Sequence, residues 1–363
     1  MDGLISHIRE PVKRHGAEQY LLITLLSFAL SVTATRLFLQ LTGYPQVGGG
    51  RLHIAHVLWG GLLLFVASLL PLILTNRWVY ALSALLSGVG VGLFIDEVGK
   101  FITRTNDYFS PAAAPVIYAL FLLTVLLYLE VRRPPSQDPR AELYRAMDDL
   151  SAVLDNDLEP HELTDLKARL QRVISHSEQP NLARLAAALL DFLGSDTLLL
   201  VPDRPTQWER IREWGRRLEL RRLGRRRLKT LILVGFLLLG IPAAVAAVSL
   251  PILALAPGDV RDQTVATLVS FGQLSGAFSP AAAEIRLALT GLAGLPLLVA
   301  AGFMAVGREK RAIRIGYIGL LLSLTAINLL VFYFDQFRTI FDASLQFGLL
   351  MGVIRYRTRY LLQ

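Results

Sequence analysis

Two histidines and two carboxylates stand at the facing ends of two neighbouring apolar segments. His53 and His56 begin the second segment, three residues apart, so that on a helix they share a face. Asp96 and Glu97 end the third segment. Imidazole and carboxylate groups are common ligands of Zn²⁺, Mn²⁺ and iron, and such an ion with an open position polarises water for hydrolysis or transfer. These four residues are therefore candidate metal ligands, and Asp96 or Glu97 is also a candidate general base.

The chain between these residues brings them to one depth. A short polar turn at Asn76–Arg77 joins the two segments into an antiparallel hairpin. His56 lies 20 residues before Asn76, and Glu97 lies 20 residues after Arg77. Adjacent residues on a helix diverge by about 100°, so we expect at most one of the two acids to face the histidines.

Further polar residues extend this candidate site. Lys100 and Arg104 suit an anionic substrate such as a phospholipid headgroup or a polyprenyl phosphate. The predicted topology places Asp335 and Gln336 at the same outer side, so they are also candidate substrate contacts. The alternative to a catalytic or metal site is a structural salt-bridge network, in which the two acids of the hairpin pair with Lys100 and Arg104.

The composition indicates that the elements carrying these residues span a membrane. Of 363 residues, 53% are hydrophobic, 18% are charged and none is cysteine, and the mean hydropathy is +0.48. This is too apolar for a soluble chain, and the apolar residues fall in segments of about 20 residues, the length that crosses a bilayer. The sequence therefore predicts an all-α, polytopic integral membrane protein. The eight predicted spans are 20–41, 54–75, 78–98, 113–131, 230–252, 284–306, 315–334 and 340–354.

The orientation follows from where lysine and arginine collect. Basic clusters precede the first span, follow the fourth, precede the fifth, separate the sixth from the seventh and follow the eighth. With eight spans all of these clusters fall on one side, which the positive-inside rule assigns to the cytoplasm. Seven spans would place the C-terminal arginines outside. We therefore predict two four-span halves, 1–133 and 230–363, with both termini in the cytoplasm.

A soluble, acidic helical insertion is predicted between the two halves, over 134–203. Helical periodicity appears at 140–155, 161–175 and 181–193. Pro160 and Pro180 mark two of the helix starts.

A basic juxtamembrane helix is predicted next, over 204–229. This stretch holds 11 basic and 3 acidic residues, whereas 138–203 holds 6 basic and 13 acidic residues. Its position against the membrane favours anionic lipid headgroups over nucleic acid as its partner. We expect the acidic helices to dock on this basic helix rather than to bind another protein.

Four stretches resemble a group of uncharacterised prokaryotic multi-pass membrane proteins. They are LHIAHVLWG at 52–60, GVGLFIDEVGKFIT at 90–103, NDYF at 106–109 and FYFDQF at 332–337. The resemblance covers about half of the chain, mostly in the membrane halves. It implies a bacterial plasma membrane location and no particular reaction.

Three hypotheses for function follow from these patterns. The first is a membrane-embedded enzyme that acts at the outer face on a lipid-linked or headgroup substrate, using zinc, manganese or iron if the hairpin binds a metal. The second is a transporter or ion-binding membrane protein. The third is a non-catalytic subunit whose cytoplasmic helices dock a protein partner. No predicted span combines a helix break with polar residues at mid-depth, which counts against transport.

Overall fold

The computed structural model describes residues 11–42, 55–104, 110–133, 138–195, 198–202, 224–255, 257–270 and 280–361. Within these ranges all regular structure is helical. The helices are α1 (Ala17–Thr42), α2 (His56–Ile73), α3 (Arg77–Asp96), α4 (Val98–Ile102), α5 (Ala113–Val131), α6 (Pro139–Asp149), α7 (Ser151–Leu154), α8 (Pro160–His176), α9 (Pro180–Leu193), α10 (Arg225–Leu255), α11 (Gly258–Ser270), α12 (Pro280–Ala305), α13 (Glu309–Leu322), α14 (Asn328–Phe334) and α15 (Gln336–Tyr360). A π-helical turn, Ser323–Ile327, joins α13 to α14.

Seven helical segments of the described chain are long and apolar enough to cross a membrane. They are α1, α2, α3, α5, α10, α12 and the continuous run Glu309–Phe334. Each coincides with a predicted span to within six residues at either end. The predicted eighth span, 340–354, lies inside the 25-residue helix α15, which is not among the seven. The count of eight spans therefore stays a prediction.

The chain divides into two compact units. The first unit comprises residues 1–97 and 120–209, and the second comprises residues 98–119 and 210–363.

In the first unit, α3 lies between α1 and α2 because its glycines allow close approach on two faces. A Cβ atom on Gly88 would lie 2.3 Å from the carbonyl oxygen of Thr24 on α1. One on Gly90, which points to the other side, would lie 2.9 Å from the carbonyl oxygen of Gly60 on α2. Small residues at such positions let membrane helices pack backbone to backbone.

Helices α6–α9, which form the insertion predicted to be soluble, begin close to where the sequence predicts. Pro160 and Pro180 occupy the first positions of α8 and α9, where the missing N–H of proline costs nothing. Glu159 and Glu162 form a reciprocal capping box at the start of α8. The predicted helix 140–155 is divided at Leu150 into α6 and α7. The core between these helices consists of Leu143, Ala146, Leu166, Leu170, Val173, Ala186 and Leu193.

These soluble helices contact the turn of the α2–α3 hairpin. The Asn76 side-chain amide donates to Asp155 Oδ1 at 3.2 Å. Arg77 Nη1 lies 3.1 Å from Glu162 Oε1. The hairpin turn and the soluble helices therefore lie at the same end of the first unit.

Two basic residues just before α1 also contact these helices. Arg14 lies 3.4 Å from Asp148, and His15 Nδ1 lies 2.8 Å from Asp149 Oδ1. These acids pair with basic residues at the start of the chain and at the hairpin turn, and the docking of the acidic helices on the basic stretch 204–229 stays a prediction. Residues 204–223 of that stretch lie outside the described residues.

In the second unit, α10, α12, α13 and α15 pack around a core that includes Phe236, Met304 and Tyr356. A Cβ atom on Gly316 would clash with the Phe236 ring, so α13 packs directly against that side chain. Short α11 packs on α10 and α12, where Arg261 pairs with Glu284 at 3.1 Å.

Candidate functional site

Four ionisable side chains meet in the first unit, where α1, α2 and α3 come together. Arg36 lies on α1, His56 is the first residue of α2, Asp96 is the last residue of α3, and Glu97 follows it. Arg36, Asp96 and Glu97 are 4%, 0% and 1% exposed, and the His56 side chain is 22% exposed. These four residues are called the His56 cluster below.

The imidazole of His56 lies between the two carboxylates. Its Nε2 is 3.3 Å from Asp96 Oδ2, and its Nδ1 is 3.0 Å from Glu97 Oε1. The expectation that at most one acid would face a hairpin histidine is wrong. Helix α3 ends at Asp96, and Glu97 has φ −87° and ψ 6°, so the 100° rotation of a continuing helix no longer sets its direction.

Arg36 is the member of this cluster that the sequence analysis missed. Its Nε donates to Asp96 Oδ1 at 2.6 Å. The sequence does contain a signal for it, since Arg36 is the single arginine in an apolar segment of 26 residues. A charge in such a segment requires a buried partner. Arg36 supplies one positive charge against two carboxylates.

The other predicted site residues of the first half lie elsewhere in the structure. His53 lies outside the described residues. Lys100, half-buried, is on α4, and Arg104, exposed, follows that helix; both belong to the second unit. Their pairing with the hairpin acids, and their contact with an anionic substrate, stay predictions.

The predicted substrate contacts of the second half lie at the start of α15. Asp335 Oδ1 accepts the backbone N–H of Arg338 at 3.2 Å and so caps the helix. Its Oδ2 accepts from Arg286 Nη2 at 3.2 Å, and Arg286 is buried. Gln336 is the first residue of α15. Asp335 therefore has a structural role here, and the contact of Asp335 and Gln336 with a substrate stays a prediction.

A metal ion requires several donor atoms that converge on one point. Among the described residues, no group of three or more histidine, aspartate or glutamate side chains does so. The two ring nitrogens of His56 point in different directions, each to its own carboxylate, and Arg36 holds Asp96. One ion could not reach His56 and both acids in this arrangement. The metal prediction therefore depends on His53 and stays a prediction.

A second buried polar cluster, in the second unit, lies beside the π-helical turn. Asn328 Nδ2 donates to Gln346 Oε1 at 2.9 Å, which joins α14 to α15. Ser323 lies at the start of the turn, with its Oγ 3.4 Å from the carbonyl oxygen of Ala293 at the middle of α12. All three polar side chains are buried. The predicted seventh span therefore contains a π turn beside buried polar side chains. The depth of these residues in a bilayer stays a prediction, and so does the expectation that no span combines a break with polar residues at mid-depth.

Tyr118 of α5 completes this arrangement. Its hydroxyl donates to the carbonyl oxygen of Leu324, which lies within the π turn. Its ring packs against Phe332 of α14, with centroids 4.7 Å apart. π turns are rare and recur at functional sites. Tyr118, Ser323, Asn328 and Gln346 are called the π-turn cluster below.

No family model matches this chain, and no curated protein and no solved structure is significantly similar to it. The resemblance to prokaryotic membrane proteins therefore stays a prediction, and function must be argued from the geometry of the chain itself.

Replacing Arg36 with Met should destabilise the protein by about 3–5 kcal/mol, because Asp96 would keep a buried charge without its guanidinium partner. The double variant Arg36→Met/Asp96→Leu should recover most of this loss, since it removes both charges. Thermal unfolding in detergent measures both effects, with the exposed Arg132→Met as control. An Arg36→Met variant that melts with the parent would show that the pair is not desolvated.

Proposed function

We propose that this chain is an integral membrane protein that moves an ion or a small polar solute across the bilayer. The proposal rests on the π-turn cluster. Polar side chains buried within apolar helices are costly and usually mark a pathway or a binding site. Transporters place such residues near the bilayer midplane, beside interruptions in their helices.

The membrane placement is supported by the outward faces of the apolar helices. In α2 only Gly60 and Ala67 are buried, and side chains such as Phe65 and Leu72 are exposed. A soluble protein does not expose apolar surface on this scale. We propose eight spans, including α15, in a bacterial plasma membrane. Both termini and the soluble helices would lie in the cytoplasm, on the side of the basic clusters.

The chemistry of the π-turn cluster limits what it could bind. Its side chains are two amides and two hydroxyls, which donate and accept hydrogen bonds but carry no net charge. Such a set suits a monovalent cation coordinated by oxygen atoms, or an uncharged polar solute. An isolated anion would find no compensating charge within the cluster.

A single cysteine at position 328 tests whether water reaches the π-turn cluster. The chain contains no cysteine, so the variant Asn328→Cys carries the only thiol. In proteoliposomes, a membrane-impermeant thiol reagent should label it, because a polar pathway hydrates the thiol and allows the thiolate to form. Leu330→Cys, two residues further on at an exposed apolar position of α14, is the matched control and should stay unlabelled.

The transport proposal would be contradicted if the reagent labelled the Asn328→Cys variant no faster than the Leu330→Cys variant. The Asn328–Gln346 contact would then be a dry interhelical hydrogen bond.

The His56 cluster favours a second candidate function, an enzyme at the outer face. An imidazole lies within 3.3 Å of two buried carboxylates, at the end of the hairpin opposite the Asn76–Arg77 turn. A lipid-linked or headgroup substrate at the bilayer surface would be within reach of such a group, which could serve as general base. If His53 completes a set of ligands with His56, the enzyme would use zinc, manganese or iron.

Elemental analysis of the purified protein tests the metal-dependent form of this candidate. The enzyme proposal expects a near-stoichiometric transition metal in the parent and its loss in His53→Ala/His56→Ala. His161→Ala/His176→Ala, which changes two histidines of the soluble helix α8, should keep the metal. A parent without metal contradicts this form of the enzyme proposal. If water also fails to reach Asn328, the remaining hypotheses are a metal-free enzyme and the non-catalytic subunit.

A further inference from the structure

Three basic helix ends meet around one carboxylate in the second unit. Glu309, at the start of α13, accepts hydrogen bonds from two residues of α10: Arg225 Nη2 at 3.0 Å and Lys229 Nζ at 2.8 Å. It also accepts from the hydroxyl of Tyr356, near the end of α15, at 2.8 Å. One glutamate therefore ties α10, α13 and α15 together. This region is called the three-helix end below.

A hydrophobic core between the three helices fixes the positions of their ends. Its buried members in this region are Leu228, Ile232, Ala312, Ile313, Val353 and Tyr356. Because each helix contributes to this core, the basic residues on the three helices keep fixed positions relative to one another.

The three-helix end carries a large surplus of positive charge. Stretches 225–229, 308–314 and 355–359 contain four, four and three lysines or arginines, and Glu309 is their only acid. The surplus over these stretches exceeds the formal net charge of the whole chain, which is +8. A surface with this surplus of positive charge attracts anions.

Apolar surface begins one helical turn below these charges. On each of the three helices an exposed basic residue lies four positions from an exposed apolar residue, so the two share a face. The pairs are Arg227 with Leu231, Arg314 with Ile318, and Arg355 with Met351. A phospholipid presents a phosphate next to acyl chains, which matches this order, whereas a soluble anion would leave the apolar positions uncovered.

Tyrosine rings further define this boundary. The Arg357 guanidinium lies 5.9 Å from the Tyr317 ring centroid, and that of Arg359 lies 5.3 Å from the Tyr360 centroid. Tyrosine is enriched at the level of lipid headgroups. A guanidinium held against a ring keeps its planar donors directed sideways, as bidentate contact with a phosphate requires.

We propose that the three-helix end is a headgroup site for an anionic phospholipid, with the phosphate bound by arginines of α13 and α15 and the acyl chains along the exposed apolar faces. This site differs from the predicted lipid contact of 204–229, because its arginines at 311, 314 and 355 lie outside that stretch. It rests on the proposed membrane placement and not on transport.

Native mass spectrometry of the full chain in detergent, titrated with phosphatidylglycerol or phosphatidylcholine, tests the site. The parent should retain phosphatidylglycerol preferentially. Arg311→Gln/Arg314→Gln/Arg355→Gln should weaken this binding by about ten-fold or more, because each basic residue near the surface contributes to anionic-lipid affinity. The matched control Arg132→Gln/Arg133→Gln/Arg184→Gln removes the same charge from exposed positions of the first unit and should change it by less than about two-fold.

Equal losses in the two triple variants would overturn the proposal, because affinity would then follow net charge alone. Competition by sn-glycerol 3-phosphate, at concentrations comparable to the lipid, would also overturn it in favour of a soluble anion. All six substituted arginines are exposed, so both variants are expected to fold, which circular dichroism and gel filtration can verify.

Discussion

The cost of placing charge among apolar helices is the constraint on which the rest of this structure depends. The Arg36–Asp96 pair, at 2.6 Å and almost fully buried, shows how the chain meets it. A carboxylate at the end of α3 is tolerable because an arginine from α1 neutralises it, and His56 adds a contact from α2. The same logic applies in the second unit, where buried Arg286 pairs with Asp335 and buried Asn328 pairs with Gln346. Each polar group brings its own partner from another helix.

Charge outside the apolar segments is arranged differently. Helices α6–α8 use acids such as Asp149 and Glu162 to contact Arg77 of the hairpin turn through partly exposed pairs, which are individually weak and screened by salt. At the three-helix end a single acid, Glu309, accepts hydrogen bonds from two basic residues and a tyrosine, and most of the remaining arginines are exposed. The first arrangement pairs acids and bases in similar numbers, whereas the second concentrates basic residues around one acid.

Helix type and position could be predicted well from the sequence, because apolar length and proline placement act locally. The seven apolar helices and the starts of α8 and α9 follow from such signals. The common depth of His56, Asp96 and Glu97 followed from counting residues through the hairpin, whereas the contact of His56 with both acids did not. Arg36 and the π turn were missed. The partner of Arg36 is 60 residues away, and the π turn depends on packing against Tyr118 of a distant helix rather than on a local pattern.

The side of the membrane on which each loop lies tests the central claim most directly, because every assignment of pathway, outer face and headgroup site depends on it. The chain has no native cysteine, so single cysteines can be placed at exposed Arg184 and Gln263 and at Asn106. In intact cells, an impermeant thiol reagent should label the variants at 106 and 263, and the variant at 184 only after permeabilisation. Labelling of all three from the same side would contradict the eight-span account.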